Sequence, residues 1–131
     1  MTQLTTPPAG TLSVGEAAAQ VGLTTHTLRW YEREGLVAPV GRDAVGRRRY
    51  TESDLAWLRL LTRLRRTGMP VRDMHRYAEL VRAGSHTAAD RLRLFQAHRE
   101  RVLARIGQLR ADLAAIDDKI RIYREQREGP A

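Results

Sequence analysis

The sequence has no cysteine, a single lysine and few aromatic residues. Without cysteine there is no disulfide framework, no thiolate metal site and no thiol redox sensor. Lys119 is the lone lysine among 23 basic residues, so the other 22 are arginines. The planar fork of arginine suits phosphates and guanine edges, which fits a nucleic-acid partner. GC-rich codons give the same bias, and the alanine and glycine content fits that explanation equally well. Aromatic residues are 5% of the chain, thin for one large core, so a self-association surface is expected. No window approaches ~18 consecutive apolar residues, the length of a membrane span, so no membrane partner is expected. Residues 1–11 read as a flexible arm. Met1–Gly10 lacks the basic flank and apolar run of a secretory signal, which favours a cytoplasmic protein.

What is present is a net charge of +8 on 131 residues, the length of one domain or of a small domain with an appendage. Ser13 followed by Glu16 is a capping box that starts a first helix, continued by Ala17, Ala18 and Val21 and ended by Gly22. Thr24 caps a second helix, over about Thr25 to Glu34, that stops at Gly35. Two short helices joined by a tight glycine turn make the helix-turn-helix pattern. In that motif the start of the second helix meets base edges, so Thr25 and His26 are candidates for reading sequence. Arg29 and Tyr31 are candidates for holding phosphates or bases. For Tyr31 a place in the core is the alternative.

The segment from Val40 to Tyr50 reads as a β-hairpin wing, with Gly41 and Gly46 as turn residues and Val40, Val45 and Tyr50 as strand residues. Arg42, Arg47, Arg48 and Arg49 against Asp43 give it a local charge of +3. Side chains alternate along a strand, so the adjacent arginines cannot all reach one ligand, and Arg48 is expected to face away. The outward ones supply affinity rather than sequence choice. Thr51 with Asp54 caps a third helix to about Thr67, whose apolar stripe is Leu55, Leu58, Leu61 and Leu64. A fourth helix is expected from Pro70 to Arg82, with Met74, Tyr77, Ala78 and Val81 facing inward.

The clearest period comes last. Leu92, Phe95, Arg99, Val102, Ile106, Leu109, Leu113, Ile116, Ile120 and Tyr123 alternate at spacings of three and four. Arg99 is the one position of this seam that is neither apolar nor aromatic. The pattern is a coiled-coil heptad repeat, and a helix from Thr87 to Gln126 would be about 60 Å long. Such a stripe needs a partner helix, and a second copy of the chain is the simplest one. Val102, Ile106, Leu109, Leu113, Ile116 and Ile120 are the expected dimer contacts. Among His26, His75, His86 and His98 none pairs at helical spacing, so no metal is expected. No phosphate loop, nucleophile elbow or His-Glu zinc motif occurs. No catalytic residue and no cofactor are assigned, and the chain is read as a non-enzyme.

The run from Leu12 to Leu61 resembles the winged helix-turn-helix of MerR-family transcription regulators. The resemblance rests on Thr27-Leu28-Arg29-Trp30-Tyr31-Glu32, then Gly35-Leu36, Pro39, Arg49-Tyr50-Thr51 and Asp54-Leu55, with Gly68-Met69-Pro70 before the next helix. The likeness extends over about Leu12 to Tyr123. It implies a mainly α fold: a winged helix-turn-helix lobe over 12–84 with a small β-hairpin wing, then a dimerisation helix over 85–127 in an antiparallel coiled coil, then a tail over 128–131. It implies a homodimer on a palindromic operator in double-stranded promoter DNA, bent and untwisted so that RNA polymerase holoenzyme gains access. By position, Arg29 and Tyr31 of the helix and Arg42, Arg47, Arg49 and Tyr50 of the wing would hold DNA. The family's metal and thiol sensors use cysteines, which are absent, and its drug sensors append a large domain. A small-molecule effector is thus unidentified, with Tyr77, Val81, His86 and Phe95 as its candidate pocket. A DNA-bending architectural or phage-type protein, and a coiled-coil interaction module, are the competing readings.

Overall fold

A computed structural model describes residues 10–37 and 41–129. Residues 1–9 of the arm expected over 1–11, the strand residue expected at Val40 and the last residues, 130–131, lie outside the described residues. The order is α1 (Val14–Val21), α2 (Thr25–Arg33), β1 (Gly41–Arg42), β2 (Arg48–Arg49), α3 (Glu52–Arg66), α4 (Val71–Ala83), a 3-10 turn (Ser85–Thr87) and α5 (Ala88–Glu128). The chain divides into two units, one ending at Arg91 and the other starting at Leu92. No helix of the described residues is long and apolar enough to cross a membrane.

The caps act as the sequence predicts. The Ser13 hydroxyl accepts the Glu16 amide while the Glu16 carboxylate accepts the Ser13 amide, at 3.2 and 2.9 Å. Thr51 and Asp54 make the same reciprocal pair at the start of α3. Thr24 accepts the Thr27 amide at 3.1 Å and opens α2. Gly22 ends α1 at φ 73°, a left-handed conformation that a side chain resists. The reversal lets the Leu23 amide reach back to the Ala18 carbonyl at 2.9 Å.

Helices of eight and nine residues, as α1 and α2 are, do not persist alone in water. Their stability comes from the core they share with α3. Ala17, Leu28, Leu36, Leu55, Leu58, Leu61, Met69 and Met74 are each at most 1% exposed. The Trp57 indole donates to the Leu36 carbonyl at 2.7 Å and stacks on Tyr77 at 5.3 Å between centroids. That stack holds Tyr77 at the rim of the core. Leu80, which the sequence reading left out, is buried instead, while Tyr77 and Val81 are half-buried.

The wing is shorter than its sequence suggests. Its ladder has two pairs, Gly41 with Arg49 and Arg42 with Arg48. Val45 is not a strand residue: it sits in the turn and is 60% exposed. The cause is Asp43, whose carboxylate captures the Val45 amide at 3.0 Å and folds the chain back.

The helix α5 runs for 41 residues, about 60 Å, and all but its first four residues belong to the second unit. Its seam is bare: Ile106, Leu109, Leu113, Ile116, Ile120 and Tyr123 are 38–63% exposed.

Leu58→Ala, at a fully buried site, should lower unfolding stability by about 2–5 kcal/mol. Thr51→Ala should cost about 1 kcal/mol through the lost cap. Urea denaturation at one fixed protein concentration measures both, and an equal loss for the two would contradict this core.

Candidate nucleic-acid interface

Thr25, Arg29 and Glu32 follow one another at spacings of four and three, so they share one face of α2. Leu28 and Tyr31 lie on the adjoining side, about a quarter turn round the helix, and are 0% and 2% exposed. The helix therefore presents a polar face because its other face is clamped into the core. Thr25 and His26 lie exposed in its first turn, where unpaired amides and the helix dipole favour an anion.

Arg29 also lines a cleft of about 520 Å³ with Ser13, Val14, Gly46, Arg42, Arg47, Arg48 and Arg49. The structure thus brings Arg29 together with the four wing arginines that the sequence marks. Each of those guanidiniums is held by its own protein. Arg42 donates to the Gly46 carbonyl at 2.7 Å. Arg47 donates to Asp43 at 3.0 Å. Arg49 donates to the Thr11 carbonyl at 3.0 Å and to its hydroxyl at 3.2 Å. Arg48 forms an ion pair with Glu32 of α2. Arg48 and Arg49 thus end on partners from different segments, consistent with strand alternation.

Two expected contacts require correction. Tyr31 and Tyr50 were assigned to DNA from their positions in the motif, yet they are 2% and 0% exposed. Both are core residues. The Tyr50 hydroxyl donates to Glu32. Burial, and then the Glu32 carboxylate, push its phenol well above the ordinary tyrosine value. Burial also raises the Tyr31 phenol, offset in part by Arg65 and the Thr62 hydroxyl. Tyrosine carries a ring and a donor, so its sequence position alone does not separate a core role from a DNA contact.

The sequence reading overlooked Asp43 and Arg65. Asp43 counted there only as a charge opposing the arginines. Its side chain is 1% exposed and accepts the Val45 and Arg47 amides and the Arg47 guanidinium, each at 3.0 Å. An aspartate three residues before a glycine, between two strand candidates, is the local signal for this turn. Gly46, at φ 89°, completes the reversal. Arg65 of α3 lines a second, smaller cleft with His26, Thr27, Trp30 and Tyr31, of about 250 Å³. No local pattern in α3 marks Arg65 over its neighbours Arg63 and Arg66.

Of the candidate effector residues, Tyr77, Val81 and His86 lie in the first unit and Phe95 in the second. Val81 lines a cleft of about 210 Å³ with Leu36, Val37, Ser53, Asp54, Trp57, Ala78 and Arg82. Tyr77 stacks on Trp57, which also lines that cleft, and His86 belongs to the 3-10 turn. Phe95 lies on α5, in the second unit.

Burial opposes ionisation of Asp43, but the Arg47 and Val45 amides and the Arg47 guanidinium outweigh it. Its pKa is held below the ordinary 3.8. The ionised carboxylate therefore stabilises the wing above that pH, and the contribution is lost as pH falls through the lower folded value. Protection of the Val45 and Arg47 amides, taken relative to the intrinsic exchange rate at each pH, should fall on acidification, and Asp43→Ala should accelerate their exchange at neutral pH while α3 stays protected. Unchanged exchange in the variant would refute the turn's dependence on Asp43.

Comparison with known proteins agrees with this geometry. The family model for MerR HTH family regulatory proteins matches residues 12–80, and the MerR DNA-binding model matches residues 55–122. An uncharacterized HTH-type transcriptional regulator of Haemophilus influenzae is 39% identical over 115 residues, covering 88% of this chain and 85% of that protein. The crystal structure of HiNmlR, a MerR family regulator lacking the sensor domain, bound to promoter DNA, matches with a TM-score of 0.82 at 38% identity. The match covers 90% of this chain and 94% of that one. A MerR-family structure from Listeria monocytogenes matches with a TM-score of 0.80 at 33% identity over 86% of this chain and 85% of that one. With two family models each spanning more than half of its length, this chain belongs to the MerR family of helix-turn-helix transcriptional regulators.

Proposed function

We propose that the protein acts as a homodimer on a palindromic operator in double-stranded promoter DNA, in the cytoplasm. The observation that carries this reading is the convergence of Arg29 and the wing arginines on one cleft beside the exposed start of α2. The solved relative on promoter DNA supports it. In this reading Thr25 and His26 contact base edges, and Arg29, Arg42, Arg47 and Arg49 contact phosphates. Two lobes related by a two-fold axis bind two half-sites. Bending and untwisting of the DNA between them alter access of RNA polymerase holoenzyme to the promoter. The seam from Val102 to Ile120 joins the two copies as an antiparallel coiled coil. Tyr77, Val81, His86 and Phe95 are the candidate residues for a small-molecule effector of unidentified chemistry.

Fluorescence-anisotropy titration tests this reading, with DNA from upstream of the protein's own gene and a scrambled duplex across a salt series. Tighter binding to the native fragment with a steep salt slope is expected. Equal binding to both duplexes favours an architectural DNA-bending role. No binding to either refutes the DNA reading and leaves the coiled-coil module. Arg29→Ala should weaken binding and flatten the salt slope by about one unit per lost phosphate contact. Leu113→Glu, on the bare seam, should turn the dimer into a monomer in sedimentation. An unchanged mass in sedimentation would refute the seam as the dimer contact.

A further inference from the structure

Glu32 is an acid on the same face of α2 as Arg29, beside a cleft lined with arginines. On charge alone it opposes DNA binding. Its side chain is nevertheless 12% exposed, and both carboxylate oxygens are engaged. Oε1 accepts the Tyr50 hydroxyl, and Oε2 pairs with the Arg48 guanidinium. Arg48 and Tyr50 are alternate residues, so they point to one side of the wing and Arg49 between them to the other. Arg49 is held on its own side by Thr11. The Tyr50 amide and carbonyl pair with Leu12 in both directions at 2.8 Å, just before α1.

We propose that Glu32 is a positioning residue of the DNA-binding surface: it fastens the wing to α2 through Tyr50 and Arg48. It thereby sets where the wing arginines stand relative to Thr25 and Arg29. The inference rests on the DNA-binding reading above. Arg48 serves as the strap and not as a phosphate ligand. Arg48, 34% exposed, is drawn onto α2, which leaves Arg42, Arg49 and the 66%-exposed Arg47 to the nucleic acid. Burial of Tyr50 keeps its phenol protonated and donating.

Charge and position predict opposite signs, which makes the proposal testable. The probes are a duplex enriched by the wild-type chain from a random-sequence pool and a scrambled duplex of equal composition. Glu32→Gln removes a negative charge beside the phosphates. It should tighten binding to the scrambled duplex a few-fold while weakening binding to the enriched one, so that the ratio falls about tenfold. Tyr50→Phe keeps the ring and the net charge. It should weaken enriched-duplex binding by a similar factor and leave scrambled-duplex binding unchanged.

Equal tightening on both duplexes in Glu32→Gln would overturn positioning and leave a pure charge effect. A parallel fall on both, matched by a lower melting temperature, would overturn it in favour of a purely structural role. If the wild-type chain enriches no duplex, the DNA reading fails first, and the fastening is read in the free protein. There Tyr50→Phe should raise amide exchange at Leu12 and Asp43 about tenfold relative to α3. Unchanged exchange would overturn the fastening itself.

Discussion

The structure depends on α2 having two incompatible duties. A helix of nine residues has too little of its own stability to stand free. It must be gripped by the core, and it must also expose a face. Leu28 and Tyr31 provide the grip, and Thr25, Arg29 and Glu32 lie on the polar side. The surrounding elements follow from that division. α1 packs against both α2 and α3. Trp57 ties the segment after α2 to α3 through the Leu36 carbonyl. Tyr50 brings the wing to the far end of the exposed face.

The second constraint is the cost of holding many like charges together. Arg29, Arg42, Arg47, Arg48 and Arg49 line one cleft. Free arginine side chains there would repel one another and lose rotamer entropy on meeting a ligand. Among the wing residues, each guanidinium has a partner within the protein, and the partners differ in kind. Carbonyl and hydroxyl oxygens hold Arg42 and Arg49 without cancelling their charge. Carboxylates hold Arg47 and Arg48 and do cancel it. The cleft thus carries less charge than its arginine count suggests, but more fixed geometry. A fixed guanidinium loses less freedom when it meets a phosphate.

What was legible in the sequence was what a few neighbouring residues decide. The caps at Ser13 and Thr51, the glycine stop at Gly22 and the leucine stripe of α3 are local, and each appears as read. The four wing arginines were also legible, because charge and turn glycines sit side by side. What was lost depends on contacts across the chain. Glu32 and Tyr50 are 18 residues apart, and their bond exists only once the wing folds onto α2. That bond turns Tyr50 from an apparent ligand into an anchor. Val45 was misread because β-branching favours a strand, whereas the Asp43 carboxylate dictates the turn. Tyr77 reaches the core only at its rim, because Trp57 of α3 offers it a stacking partner there.

The long helix poses the remaining physical demand. Its seam repeats every 3.5 residues while an α-helix turns every 3.6, so the stripe drifts by about 20° per heptad. A flat surface can cover such a stripe for one or two heptads before it turns away. Here the seam runs from Leu92 to Tyr123, and six of its side chains from Ile106 onward are 38–63% exposed. Only a partner that winds with the drift covers it throughout, and another helix with the same period does so. A second copy has that period by construction. Arg99, with 71% of its side chain exposed and Glu100 at 3.8 Å, interrupts the seam near its start. The uninterrupted apolar run lies after it, and that run is where burial by a second copy gains most.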